Sequence, residues 1–349
     1  MLWFMAHFSI AVIPGDGVGQ EVIPEALRVL DAVAKLDYTH FDWGSEYYLH
    51  HGRMMPADAL DTLRKFDAIL LGAIGHPDIP DHITLNGLLL PIRRAYDQYA
   101  NIRPAMLYPG VVSPLANAGP IDMVVVRENT EGEYAQVGGF LYHHQPEEVA
   151  IQTAVFTRRG IERVVRHAFE LARKRNGKRK VTSITKSNAQ GFGMVLWDRA
   201  FAKVAAEFPD IDTDSLLVDA AAMNFVRRPA SFDVVVGSNL FGDILSDLSA
   251  VITGSIGLAA SANLDPTRRH PSMFEPVHGS APDIAGRGIV NPLAMILSAA
   301  MMLDHVGIEN GIERAVAAVL AKGEFRTPDL GGTSSTREVG SAVLERIRR

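Results

Sequence analysis

The sequence predicts an α/β fold, with a large, mostly parallel sheet flanked by helices. Two observations carry this. Short β-branched runs alternate with segments of helical apolar spacing along the whole chain, the pattern of strand–helix–strand units. A length of 349 residues with 47% hydrophobic and 21% charged residues suits a globular chain of about two domains.

Residues 9–13 read as a buried strand, 15–19 as a glycine turn, and 20–35 as a helix with Val22, Ala26, Val29, Leu30 and Val33 on one face. A second short strand covers 68–72. A helix is expected over 88–99, with Pro91 tolerable only in its first turn. Strands follow at 122–127 and 149–156, then a helix at 161–174 running into a basic loop. Further strands are expected at 181–185, 214–218 and 233–237. Helices follow at 242–252, 292–306 and 334–347, the last capped by Ser334 or Ser335. Stretches 72–81, 104–120 and 259–288 are rich in Gly and Pro and read as crossovers or clefts. There is no internal repeat.

Composition excludes several classes of function. With no cysteine, there are no disulfides, no cysteine nucleophile and no cysteine-ligated metal. The formal charge of −6 gives no footprint for nucleic acid or an anionic membrane. The apolar start lacks a basic residue before Arg28, unlike a signal peptide. It reads as a short extension ahead of the first strand. No apolar run reaches the length of a membrane span. These features lead us to expect a cytoplasmic protein.

Several constellations suggest chemistry. Gly15-Asp16-Gly17-Val18-Gly19 joins a strand to a helix but places its third glycine one residue early for the dinucleotide fingerprint. A tight turn is the favoured reading. Asp243 and Asp247 stand at i and i+4 in an apolar helix, so their carboxylates share a face. Two such acids repel unless a cation lies between them, and a hard divalent ion takes oxygen ligands. Asp219, read at the end of a strand, is a third candidate. Arg93, Arg103 and Arg127 offer guanidinium forks for carboxylates, although each alone is more often an ion pair. Lys186 follows a strand, where a lysine beside a metal and arginines would move a proton at neutral pH. Tyr134 likewise follows a strand or begins a loop. His278-Gly279-Ser280-Ala281-Pro282-Asp283 is a small-residue loop that lets backbone approach a ligand. His50-His51 and His143-His144, placed on strands, would point to opposite faces and make poor chelates.

Taken in order, IAVIPGDGVGQEV, LLLPIRRAYDQYANIRP, VVVRENTEGEY, TKSN, NLFGDILSD, FEPVHGSAPDIAG and RTPDLGG resemble the β-decarboxylating dehydrogenases, the isocitrate/isopropylmalate dehydrogenase family. Within it, ENTEGEY and PSMFEPVHGSAPDIAG look most like the tartrate/D-malate group. The resemblance implies a two-domain isopropylmalate-dehydrogenase-like fold with a mixed and parallel sheet, not a Rossmann fold. Residues 1–100 and 254–349 would form the cofactor domain, and 101–253 the dimerisation and metal domain, with a clasping arm at about 132–156.

The same resemblance assigns roles. Arg93, Arg103 and Arg127 would hold substrate carboxylates, and Tyr134 and Lys186 would be catalytic. Asp219, Asp243 and Asp247 would bind Mn²⁺ or Mg²⁺, with K⁺ left open as a further ion. His278, Gly279, Ser280, Ala281, Asp283 and Asn291 would surround the adenosine half of NAD, with Glu275 toward the nicotinamide. Asp283-Ile284 looks like the NAD type. Lys186 and Asp219 would serve the partner subunit, so a homodimer with shared sites is implied. The expected reaction is oxidative decarboxylation of a (2R)-2-hydroxy dicarboxylic acid, D-malate or tartrate. Asn86 departs from the tryptophan of the tartrate/D-malate group, which leaves an alkylmalate open. The alternatives are a 3-isopropylmalate dehydrogenase, with Leu88, Leu89 and Leu90 lining an alkyl pocket, and a non-catalytic regulatory subunit.

Overall fold

A computed structural model describes residues 8–348. The expected extension ahead of the first strand falls on residues 1–7, outside the described residues. Twelve strands are present among the described residues: β1 (Phe8–Gly15), β2 (Leu36–His40), β3 (Ala68–Ala73), β4 (Ala100–Met106), β5 (Asp122–Glu128), β6 (Gly132–Leu141), β7 (Val149–Val155), β8 (Lys180–Thr185), β9 (Asp212–Leu217), β10 (Val234–Gly237), β11 (Ala260–Leu264) and β12 (Ser272–Pro276). Ten of them make one sheet in the order β2-β1-β3-β12-β11-β4-β5-β10-β8-β9, and β6 pairs with β7 as a separate hairpin. Five sheet strands come from residues 8–73 and 260–276, and the other five from 100–237.

The flanks of the sheet are parallel, as the alternating pattern predicts. Its centre is not: β12-β11, β11-β4 and β4-β5 run antiparallel. The sheet is therefore mixed. Two of the stretches read as loops take in β11, β12 and the end of β4. β4 carries Pro104, β12 ends on Pro276, and ASANL in β11 lacks β-branched residues. Proline and small polar residues hid these strands from a periodicity argument.

Helices cover the sheet. Gly19–Val33 buries Val22, Ala26, Val29 and Leu30 as expected. Leu293–Val306 is apolar nearly all round and buries ten of its fourteen residues, which places it at the core. Thr336–Ile347 starts at Ser335, whose hydroxyl accepts from the Glu338 N–H while the Glu338 carboxylate accepts from the Ser335 N–H, a capping box. The expected single helix over 88–99 is instead a π-turn at Leu85–Leu89 followed by Leu90–Ala95, with Pro91 in its first turn. The strand expected to reach 218 stops at Leu217, and Asp219 sits in the first turn of helix Val218–Arg227. Among the described residues no helix is long and apolar enough to cross a membrane.

Candidate active site

Three buried guanidiniums meet at the centre of the sheet. Arg93, Arg103 and Arg127 are 4%, 7% and 2% exposed. Side chains alternate along β4, so Arg103 and Asn101 share a face, and Asn101 stands opposite Arg127 on β5. Arg93 reaches in from helix Leu90–Ala95. Burying a guanidinium is costly unless it is paired. Arg93 Nη2 donates to Glu275 Oε1 at 2.6 Å. Arg103 Nη1 donates to Ser246 Oγ at 2.8 Å and lies 3.3 and 3.4 Å from Asp243 and Asp247. Arg127 donates to Asp243, and from Nε and Nη2 to Asn239 Oδ1 at 3.0 and 2.7 Å. Arg93 Nε and Arg103 Nε remain buried without partners. Burial, then the neighbouring Arg103, depresses the Arg127 pKa. The site thus holds spare donors and crowded positive charge, which suits an anionic ligand.

Tyr134, in β6, closes the other side. Its Oη donates to Asp243 Oδ2 at 2.7 Å, and its carbonyl accepts from Arg94 Nη2 at 2.9 Å. Burial, reinforced by Asp243, pushes its phenol up to about 12. Burial pushes Asp243 up, but Arg127 and Arg103 outweigh it, leaving the carboxyl below its usual range. Asp247 is raised, mainly by burial with Asp243 beside it. Asp243 and Asp247 therefore fit a hard cation: two carboxylates one helical turn apart, both within reach of Arg103 Nη1. Asn239 and Ser246 extend the same helix face and hold Arg127 and Arg103. Their spacing around Asp243 was the signal that would have found them. Glu133 accepts from Ser238 Oγ and the Leu240 N–H, tying β6 to the start of that helix.

Lys186 and Asp219 do not join this group. Lys186 Nζ lies 2.8 Å from Asp219 Oδ1, and that lysine holds the carboxyl below its usual range. Asp219, Asp243 and Asp247 do not gather within 4.8 Å in one chain. Among the described residues the only such trio of metal-competent side chains is His143, His144 and Glu148. This corrects the reading of the histidine pair. The two follow β6 in a turn, with Tyr142 and His144 at φ 52 and 63, and their ring centroids are 3.7 Å apart. His50 and His51 lie on helix Ser45–His51 rather than a strand.

The glycine turn and the small-residue loop pack together. Gly17 has φ +51, and a Cβ there would stand 2.1 Å from Ser280 O. The Val18 N–H donates to the same carbonyl at 2.9 Å. Asp16 was overlooked in the sequence: its carboxylate accepts from the Ser45 N–H, Ser45 Oγ and the Gly75 N–H at 2.7, 2.6 and 2.9 Å. His278 Nδ1 lies 3.0 Å from Gly279 O, while its Nε2 is buried and unpartnered. Gly279 is open, Ala281 has φ 42, and Asp283 is exposed. Asn291 is buried and held at both ends of its amide: Nδ2 donates to Asp329 and Oδ1 accepts from the Leu293 N–H, both at 3.0 Å. Glu275 pairs with Arg93, which links this loop's strand to the arginine group. An open small-residue cradle with an orphaned imidazole nitrogen fits a nucleotide cofactor.

The sequence model described as isocitrate/isopropylmalate dehydrogenase matches residues 9–343. The chain is 51% identical to the tartrate dehydrogenase/decarboxylase of Pseudomonas putida, covering 99% of each chain. It is also 51% identical to the D-malate dehydrogenase (decarboxylating) of Escherichia coli K12, covering 99% of this chain and 100% of that one. The crystal structure of isocitrate dehydrogenase from Methylococcus capsulatus superposes with a TM-score of 0.90 at 38% identity, covering 98% of this chain and all of that one.

Proposed function

The chain belongs to the isocitrate/isopropylmalate dehydrogenase family, and from this premise we propose that it oxidises and decarboxylates a (2R)-2-hydroxy dicarboxylic acid with NAD⁺ and Mn²⁺ or Mg²⁺. D-malate is the first candidate and tartrate the second, in line with the names of the two relatives. The observation that carries the reading is the meeting of Arg93, Arg103 and Arg127 with Tyr134, Asp243 and Asp247.

The arginines bind and orient the substrate carboxylates; their burial excludes water and strengthens each charge-assisted bond. When bound, a divalent ion would supply a lower pKa at the C2 hydroxyl and stabilisation for the negative charge left by decarboxylation, and NAD⁺ would supply the hydride acceptor. Asp243 and Asp247 would hold the ion, with Asp219 supplied by a second subunit. Lys186, from that same subunit, accepts the hydroxyl proton. Tyr134, kept as a phenol at neutral pH, has a proton to give to C3. Ser280, the Gly279 backbone, Ala281 and His278 would hold the adenosine half of NAD⁺, with Asp283 toward the ribose and Glu275 toward the nicotinamide. Asn291 shapes this pocket from behind.

This reading requires a homodimer. The hairpin β6-β7 presents Val137, Phe140, Leu141, Val149 and Ile151, and helices Val218–Arg227 and Asn239–Ile252 present Met223, Val226, Ile244 and Val251, all exposed in one chain. Exposed apolar faces of this extent favour a partner subunit. The seam between β11 and β4 is the proposed boundary between the cofactor domain and the dimerisation domain.

A substrate panel tests the proposal. Specificity constants for D-malate, tartrate and 3-isopropylmalate are compared with NAD⁺ or NADP⁺ and Mn²⁺. D-malate or tartrate with NAD⁺ should lead. A lead for 3-isopropylmalate would reassign the substrate, and no reduced cofactor with any acid would leave a ligand-binding, non-catalytic subunit.

A further inference from the structure

A chain of buried amides runs beneath the arginine group, and it converges on one residue. Asn263, in β11, is fully buried. Its Oδ1 accepts from Asn101 Nδ2 at 2.9 Å and from Asn129 Nδ2 at 3.0 Å. Its Nδ2 donates to Glu275 Oε1 at 2.8 Å and to Met273 O at 3.3 Å. All four hydrogen-bonding positions of one side chain are therefore used. A flipped amide would set its oxygen against a carboxylate and a carbonyl, and its nitrogen against two donors. The orientation is unique.

Asn101, Asn129 and Gln98 are less well served. Asn101 Oδ1, Asn129 Oδ1 and Gln98 Oε1 are buried without partners. The network satisfies Asn263 at the expense of its neighbours, and Asn263 passes that constraint to Glu275. The carboxylate oxygen that accepts from Asn263 is the one that accepts from Arg93 at 2.6 Å. Among the described residues the Arg93 guanidinium donates only to Glu275 Oε1 and its Nε is unpaired, so this oxygen sets its reach.

We propose that Asn263 is a positioning residue that fixes Glu275 and, through it, holds the Arg93 guanidinium where a substrate carboxylate arrives. The inference rests on the reading that Arg93 binds substrate. Unlike a residue that only fills the core, Asn263 matters here as a hydrogen donor to a carboxylate. Replacing that donor with an acid sets two carboxyls in contact, and the repulsion is relieved only as the pH falls and one of them takes up a proton.

The test is Asn263→Asp, assayed on D-malate from about pH 6 to about pH 9 with KM and kcat separated. KM should exceed that of the wild type by at least about tenfold at the alkaline end. It should approach the wild type at the acidic end, where the new carboxyl is protonated and donates again. The double variant Asn263→Asp/Glu275→Gln returns one carboxylate and one donor to the pair with their places exchanged, and at saturating NAD⁺, with Glu275→Gln alone as the reference for any cofactor effect, should recover most of the lost KM. A KM ratio that is flat with pH, or a double variant no better than the single one, overturns the inference. Wild-type turnover separates this from the functional reading. Its absence on every acid of the panel refutes that reading and the inference with it. Wild-type turnover beside a flat ratio refutes the inference alone.

Discussion

Tyr134 Oη donates to Asp243 Oδ2 at 2.7 Å, while Arg127 donates to the other oxygen of the same carboxylate. One acid thus holds both a proton donor and an anion-binding group. The guanidinium carbon of Arg127 also lies 5.3 Å from the centre of the Tyr134 ring. Tyr134→Phe keeps the ring and its packing and removes the hydroxyl, and with it the acidic proton and the bond to Asp243. We expect kcat to fall by about 10²- to 10⁴-fold, the usual worth of a positioned acid, with KM little changed. Steady-state kinetics on D-malate checks this, and a KM effect larger than the kcat effect would move Tyr134 from proton transfer to binding.

Lys186 and Asp219 pair with each other rather than with the arginine group. If each site takes these two from the neighbouring subunit, separately inactive Lys186→Met and Tyr134→Phe chains will rescue one another. Every mixed dimer then contains one wholly intact site. With random reassociation, half of the dimers are mixed, so about one quarter of wild-type activity should return. Mixed dimers that form but stay inactive would place Lys186 and Tyr134 in one chain's site.

The edge strand β2, LDYTH with no buried residue, gave no apolar signal, whereas β1, β3, β8, β10 and the amphipathic helices Gly19–Val33 and Arg158–Arg175 were legible because their apolar pattern is set by burial. The centre of the sheet was not. β4 and β11 place Arg103, Asn101 and Asn263 where a core strand ordinarily carries valine, so the residues that make the site conceal the strand that carries them. The i, i+4 pair Asp243 and Asp247 was readable from helical geometry, and its nearness to Arg103 was not, since 140 residues separate Arg103 from Asp243. The histidine pair was misread because a turn at His144 replaced the assumed strand.

Gly17 answers to a close approach rather than to the turn alone. Gly17→Ala puts a methyl 2.1 Å from Ser280 O and must push the 278–283 loop away. We expect NAD⁺ to bind about 10- to 100-fold more weakly, the equivalent of 1–3 kcal/mol of overpacking. Gly52→Ala is the control, because Gly52 has a similar φ of +68 with nothing within 4 Å of an added Cβ. It should cost about 1 kcal/mol of backbone strain and leave cofactor affinity alone. Equal loss of affinity in both variants would exclude the loop contact as the cause.

His167 and His305 line one cavity of about 1020 Å³ between helices Arg158–Arg175 and Leu293–Val306. Burial lowers both to about 4, with His305 and Lys174 acting on His167, and Arg268 and Lys174 acting on His305 against the opposing pull of Asp265. Both histidines bind a proton less readily folded than unfolded. Stability therefore falls as pH drops through the unfolded value of 6.5 and levels off below about 4. The combined loss is on the order of a few kcal/mol. Denaturant melts between those limits should show it, and His167→Gln should flatten the slope. An unchanged slope would assign the acid sensitivity to other groups.

Asp243 and Asp247 should make stability as well as turnover depend on a divalent ion. Exhaustive chelation should abolish activity, and Mn²⁺ or Mg²⁺ should restore it. Any ion that binds only the folded state also raises the melting temperature, by about 2.7 kcal/mol of stabilisation at a hundredfold excess over its Kd. Asp247→Asn removes one oxygen charge while leaving Asp243 to hold Arg127 and Tyr134. It should raise the Mn²⁺ concentration needed for half the stabilisation by at least about tenfold. The melt reads the ion without reference to catalysis, so a Mn²⁺-induced shift that survives intact in Asp247→Asn would put the ion elsewhere. Full turnover after chelation would remove the cation from the chemistry altogether.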